Sequence, residues 1–500
     1  METTKINKID ETASASLTRQ PDADGSFVHP DPSKVAGACS HTEYRLALLT
    51  PYDGGNLGDA AIQDAMIDNI RRRLPGVRLS GISLSPQNFM KLHGLESFPL
   101  CETDRPFYKM TRGVSEEVGT QQQSPARPTT EEPVHIRIAR KLIRRVPFLR
   151  TALKAGRKIG RAGMKEFRHW AAGYRFLRTQ DLVIVSGGGQ LDEEWGGPWG
   201  HPYALFKWAM LARIARIPYA MASVGACKLR STSARLLVSA ALRLARYRAY
   251  RDKNSRDLAA GLLQRASADP IVPDLAFGLS VSELPQSASI RLLAAGRPVI
   301  AISPIAFNKP PYWPQADPQL YSQYLEQLTE AVSILLERGY FLVMVSSSRG
   351  DDESVIPDIL GRLHAESKKK ADQQICVPPI ATWRDFASVV SEVHLLIASR
   401  LHSTILGLIA HRPTVAISFD PKVDWVMKDL DQTAYLLHIR DFVAQDLVNA
   451  VSQANLCRAE VIEKLTAYQS QNRAVLARQY DLLVGLAMRV HRSPASRCNV

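Results

Sequence analysis

Short apolar runs that alternate with segments of helical spacing constrain this chain more than anything else in it. Asp181-Leu182-Val183-Ile184-Val185-Ser186 is the plainest run, and it stops at Gly187-Gly188-Gly189-Gln190-Leu191-Asp192. A strand apolar at every position is buried on both faces, which a parallel sheet covered by helices provides. Residues 44–49, 217–223, 298–303, 340–345, 393–398 and 414–418 read as further strands, 77–84 alternates as another, and most lead into helix-period segments. That alternation predicts an α/β fold of two Rossmann-like, doubly wound domains facing a cleft. Five hundred residues also exceed one ordinary core. Residues 1–42 are polar and aperiodic and are expected to be a disordered tail. The first domain is assigned to 43–280 with an insertion at about 87–178, followed by a linker at 281–297. The second domain is assigned to 298–440, and 441–500 form a helical extension.

The formal charge of +14 is local. His135 to Arg178 holds 14 Lys and Arg against the single Glu166, and the rest is close to neutral. Apolar and aromatic residues interleave with these cations, and Pro147 splits the stretch into two expected helices. Such a basic amphipathic segment suits an anionic membrane surface, with 131–178 as the candidate contact. No RNA-binding module accompanies it, which argues against nucleic acid. An ordinary solvated face over a core contact is the plainer reading. The six cysteines show no CxxC spacing, so neither a metal knuckle nor a disulfide framework is expected, and no cofactor is implied. No apolar stretch reaches membrane-spanning length and no signal-peptide core is visible at the start, so a cytoplasmic protein is expected.

Three stretches carry candidate chemistry. Arg400 and His402 sit in Ala398-Ser399-Arg400-Leu401-His402-Ser403, where a buried strand hands over to a helix. Ser399 or Ser403 is available to cap that helix. Ligands bind at this edge of open α/β sheets, and helix-terminal N–H groups attract anions. A fixed cation beside an imidazole suits an anionic substrate that needs a proton moved. The competing reading pairs Arg400 with a carboxylate. Earlier, Tyr52-Asp53-Gly54-Gly55-Asn56-Leu57-Gly58-Asp59 links the first strand to a helix in a phosphate-cradling outline, yet matches neither common nucleotide motif. The three glycines 187–189 imply close approach of a ligand or another backbone. Arg251 ends a further short strand, and Lys422 follows the last apolar run.

Gly55-Asn56-Leu57-Gly58-Asp59, Gly187-Gly188-Gly189, Tyr250-Arg251-Asp252-Lys253-Asn254-Ser255, Pro273-Asp274 and Ser399-Arg400-Leu401-His402 occur in this order. Together they resemble the polysaccharide pyruvyl transferase family over about Tyr44 to Leu430. Ala60 stands where the family usually has an acidic residue. The resemblance implies a GT-B-like fold and transfer of a pyruvyl group from phosphoenolpyruvate, as donor substrate, to a sugar of an exopolysaccharide or other cell-surface glycan precursor. The acceptor is commonly lipid-linked, the product a ketal. It implies His402, Arg400 and Arg251 as catalytic residues. Asn56, Gly58, Asp59, Gly187, Gly188, Gly189, Leu401, Ser403 and Lys422 would contact substrates, without a metal. A nucleotide-sugar glycosyltransferase of the same fold, or a non-catalytic carbohydrate-binding relative, are the alternatives.

Overall fold

The computed structural model describes residues 43–51, 54–102, 147–194, 196–264, 268–280, 284, 289–311, 313, 316–348 and 350–491, and for 147–161 and 490–491 the backbone alone. The expected tail, Tyr52, Asp53, Trp195 and 103–146 lie outside these residues.

The first domain comprises β1 (Arg45–Thr50), α1 (Leu57–Arg73), β2 (Arg78–Ser83), α2 (Pro86–His93), β3 (Ser97–Pro99), α3 (Pro147–Leu177), β4 (Leu182–Ser186), α4 (His201–Ala215), β5 (Tyr219–Val224), α5 (Thr232–Leu244), β6 (Tyr247–Tyr250) and α6 (Lys253–Leu263). Its strands are parallel, in the order β3-β2-β1-β4-β5-β6. The second domain follows with α7 (Ser289–Ala294), β7 (Val299–Ser303), α8 (Pro318–Glu337), β8 (Phe341–Met344), α9 (Val355–Arg362), α10 (Ala365–Gln374), β9 (Ile375–Cys376), α11 (Trp383–Glu392), β10 (Leu395–Ala398), α12 (Leu401–Ile409), β11 (Thr414–Ser418), α13 (Pro421–Asp429), β12 (Leu436–His438), α14 (Ala444–Leu456) and α15 (Arg458–His491). Its parallel sheet runs β12-β11-β10-β7-β8-β9, which repeats the first domain's strand order.

In each sheet the order reverses beside the domain's first strand, between β1 and β4 and between β7 and β10. Those two switch points leave a crevice at the strands' C-terminal edge. The motifs at Asn56–Asp59 and Gly187–Gly189 follow β1 and β4, and Arg400 and His402 follow β10. The strands at the centre are buried, apart from half-buried Arg45 at the start of β1, as their apolar runs require. The lone histidine in 393–398 is accommodated by accepting the Val299 N–H at its Nδ1, at 3.0 Å.

The insertion is shorter than the sequence suggests. Residues 86–99 form α2 and an edge strand paired to β2, with Phe89 buried where the polar composition gives little apolar signal. At the other end, the last half of α3 belongs to the core. Phe176 stacks on Phe98 at 5.1 Å, Leu177 is fully buried, and the Trp170 indole donates to Tyr203 at 2.8 Å. Pro147 opens this helix, where its missing N–H costs nothing. Helix α15 returns to the first domain, where Gln479 donates to Ser223 at 3.0 Å and Arg73 pairs with Asp481 at 2.7 Å. The domains are also joined at α1. Its Asp64 accepts from Trp383 Nε1 at 2.8 Å and from Arg384, both on α11.

Candidate active site

The first wall of the crevice is the N-terminus of α1. Asn56 caps it, its Oδ1 accepting the Gly58 N–H at 2.9 Å, so this side chain has a local structural task. The same turn is pinned to the second domain, with Leu57 N–H donating to the Ser347 carbonyl at 3.0 Å. Gly58 is required by space. A Cβ there would lie 2.0–2.1 Å from His402 Cγ, Cβ and Nδ1. The imidazole therefore lies directly on the helix backbone, across the domain boundary.

The second wall is the turn after β4. Gly187 and Gly188 take φ of +59° and +72°, the left-handed region that favours glycine. From Gly188, Asp59 Oδ1 is 3.7 Å from where a Cβ would stand; from Gly189, Asp192 Oδ2 is 3.8 Å away. A buried pair holds the turn from behind. Gln190 Nε2 donates to the Gly187 carbonyl at 2.7 Å, so its Oε1 faces His201 Nε2 at 2.9 Å. That orientation assigns the His201 proton to Nε2. Burial pulls the His201 pKa down to about 4, which keeps the ring neutral.

Between these walls, three groups line up. Arg251 Nη1 lies 3.6 Å from Asp274 Oδ2, and His402 Nε2 lies 4.0 Å from the same oxygen. The other Asp274 oxygen accepts the Ala276 N–H at 3.0 Å, which fixes the carboxylate. Neither His402 Nε2 nor Asp274 Oδ2 has a hydrogen-bond partner among the described residues, although both are buried. Lys422 approaches from the second domain, at the start of α13. Burial opposes its charge, but Asp420, 3.3 Å from its Nζ, outweighs that and raises its pKa, while Arg251 opposes.

Asp192 is the residue that reading the sequence left without a role. Burial, and then Glu194, push its carboxyl up to about 7, against the pull of Lys422 and Arg251. It directly follows the glycine turn, and that adjacency was the available signal. Its electrostatic partners, 230 residues distant for Lys422, were not visible in the chain.

Arg400 sits differently from expectation. Its guanidinium forks onto Asp352, through Nε to Oδ2 and Nη2 to Oδ1 at 2.9 Å. Asp352 is fully buried and also accepts the Ala306 N–H at 2.9 Å. Burial works against the arginine charge, yet Asp352 outweighs it and raises the pKa. The carboxylate reading of Arg400 holds, which makes it an anchored cation with one edge turned to the crevice. Ser403 is corrected outright. It is fully buried, donating to Ser347 at 2.7 Å and bonded to Ser303 at 3.0 Å, so it cannot touch substrate. Neither serine caps α12. Arg400 is the N-cap, without a side-chain bond, so the first-turn N–H groups carry no side-chain cap. Leu401 packs half-buried against the core. Among the described residues, no group of three or more His, Cys, Asp or Glu is arranged to hold a metal ion.

The fold is two Rossmann-like domains, with Arg251 from the first and Arg400 and Lys422 from the second standing at the crevice between them. The chain belongs to the polysaccharide pyruvyl transferase family, whose profile matches residues 56–421. No curated protein matches it. Solved structures with similar folds include UDP-GlcNAc 2-epimerase from Neisseria meningitidis bound to UDP-GlcNAc, at 10% identity over 85% of this chain and 94% of that one, TM-score 0.45. Escherichia coli heptosyltransferase WaaC with ADP is 13% identical over 83% of this chain and 99% of its own, TM-score 0.36. A ugt transferase from Siraitia grosvenorii in complex with UDP is 11% identical over 88% and 100%, TM-score 0.46.

Proposed function

We propose that this transferase takes its pyruvyl group from phosphoenolpyruvate and closes it as a ketal across two hydroxyls of a glycan precursor, lipid-linked and cytosolic. The observation that carries the reading is the Arg251–Asp274–His402 line with Lys422 beside it. Phosphoenolpyruvate carries a carboxylate and a phosphate close together. The first-turn N–H groups of α12, Arg251, Lys422 and the open edge of Arg400 are the donors for them.

His402 delivers a proton to the methylene carbon, which leaves C2 electron-poor. A sugar oxygen adds to C2 and gives up its proton, phosphate departs with the C2–O bond electrons, and the second hydroxyl takes its place. Two hydroxyl protons are released, one replaces that supplied by His402, and the other leaves with phosphate. Asp274 Oδ2 faces the imidazole at 4.0 Å, close enough to stand opposite the positive charge that the ring carries before the transfer. Asp192, poised near neutrality, suits acceptance of a hydroxyl proton from the sugar. Asp59 and the glycine turn line the acceptor side.

The test is phosphoenolpyruvate plus extracted lipid-linked sugars, followed by phosphate release and by the mass of the glycan. The expected product gains a pyruvate ketal, and His402→Ala abolishes it. Release of a nucleotide from a nucleotide sugar, without phosphoenolpyruvate turnover, would replace this reading by the glycosyltransferase one.

A further inference from the structure

Helix α3 carries a surface that the transfer chemistry does not use. Glu166 is the one acidic residue between His135 and Arg178, and it points inward. Tyr203 donates to it at 2.8 Å, and Lys207 lies 3.5 Å away, itself fully buried. Among the described residues of α3, the outer face therefore carries no acidic side chain of the helix's own. Lys165, Arg168, Arg175 and Arg178 are exposed there, and among them Phe167 is 69% and Met164 54% exposed. Trp199, 62% exposed, stands 6.1 Å from Tyr203, ring centre to ring centre.

The position of this face follows from helix pairing. Contacts between α3 and α4 advance together along both chains. Glu166 meets Tyr203, His169 meets Lys207, and Gly173 meets Trp208 and Leu211. The two helices run parallel. The start of α4 marks the sheet edge that holds the crevice, since His201 bonds Gln190 of the glycine turn. Met164, Phe167 and Trp199 are thus level with the crevice edge. The preceding part of α3, residues 147–162, extends past that edge by roughly 24 Å at about 1.5 Å per residue. In sequence it carries Arg150, Lys154, Arg157, Lys158 and Arg161 with Phe148, Leu149, Leu153 and Ile159, and no acid.

We infer that this face docks the enzyme on an anionic lipid bilayer, with the crevice edge toward the membrane. Exposed Phe, Met and Trp between cations match a surface that is anionic outside and apolar a few ångströms deeper. Nucleic acid offers the charge without that apolar layer. The inference adds orientation to the proposed lipid-linked acceptor, but its evidence is independent of the donor and the reaction.

The test is co-sedimentation of the full chain with mixed phosphatidylcholine–phosphatidylglycerol vesicles against phosphatidylcholine alone, at low and high salt. Binding to the mixed vesicles alone is expected, weakening with salt. Met164→Glu with Phe167→Glu, and separately Lys165→Glu with Arg168→Glu, should each lower partitioning by about tenfold. Their melting temperatures and their phosphate release with a water-soluble acceptor should match wild type. Equal binding to neutral vesicles, unchanged binding by both variants, or preferential capture by RNA would overturn the inference. So would a marked drop in melting temperature of the Met164/Phe167 variant, which would place the face under the chain's own residues or a second copy. An enzyme inactive with phosphoenolpyruvate that still binds mixed vesicles would sink the donor assignment and leave this surface standing.

Discussion

The two crevice edges are built on the same strand order and do opposite things. In the first domain the edge after β1 and β4 is made by removing side chains. Gly58 and the glycines 187–189 clear space, and the acidic groups Asp59 and Asp192 stand at its margin. In the second domain the edge after β10 is made by adding charge and then fixing it. Arg400 is locked by Asp352, and Ser403 is tied to two other serines. One edge supplies room and the other supplies rigidly held groups, and His402 lying on Gly58 is where they meet. A shared topology thus fixes where a site can be, while the side chains at each edge divide its work.

The comparison can be broken most severely at the meeting point. His402→Ala should lower pyruvyl transfer by about a thousandfold or more, read by phosphate release, with melting little changed. Retained activity would make the histidine structural. The next largest effect is on stability. Asp352→Ala leaves Arg400 half-buried without its partner and should cost roughly 3 kcal/mol in urea unfolding.

Gly58→Ala tests the space argument. The added methyl meets the imidazole at 2.0 Å, so the ring or the domain contact must move. A loss of about 2 kcal/mol is expected, with activity reduced about a hundredfold. Combining it with His402→Ala should recover most of that stability, because the clash then has no partner. Additive losses would refute the contact.

The smallest effect concerns Asp192. Its folded pKa of about 7 lies above the unfolded value of 3.8, so the folded state binds more protons between those values. Wild-type stability therefore falls as pH rises through that window. Asp192→Asn removes the penalty. The variant should match wild type near pH 4 and exceed it by about 1–3 kcal/mol above pH 7, measured by denaturant unfolding. Its activity profile should lose a limb near pH 7. A constant difference at all pH values would mean that the carboxyl is not the group titrating there.

Strand–helix alternation, the glycine turns and the Arg400–His402 edge were legible in the chain because each rests on local pattern: apolar periodicity, turn chemistry, helix entry. Residues 86–99 were missed because a half-buried edge strand and a short helix carry too little apolar signal. The role of Ser403 was misread for a different reason. Exposure of a polar residue beside a site cannot be told from sequence, and its partners are supplied by strand β7 (Ser303) and the loop after β8 (Ser347).

By itself, then, the sequence determined which segments become strands and helices and which turns stay narrow, since those depend on neighbours a few residues apart. The tertiary structure alone decided the rest. Only it reversed the strand order at β1/β4 and β7/β10, neutralised Arg400 with Asp352, set the imidazole of His402 on Gly58 and brought Asp274 to it. Each of these joins residues far apart in the chain, and only the closed packing of two domains brings them within a few ångströms.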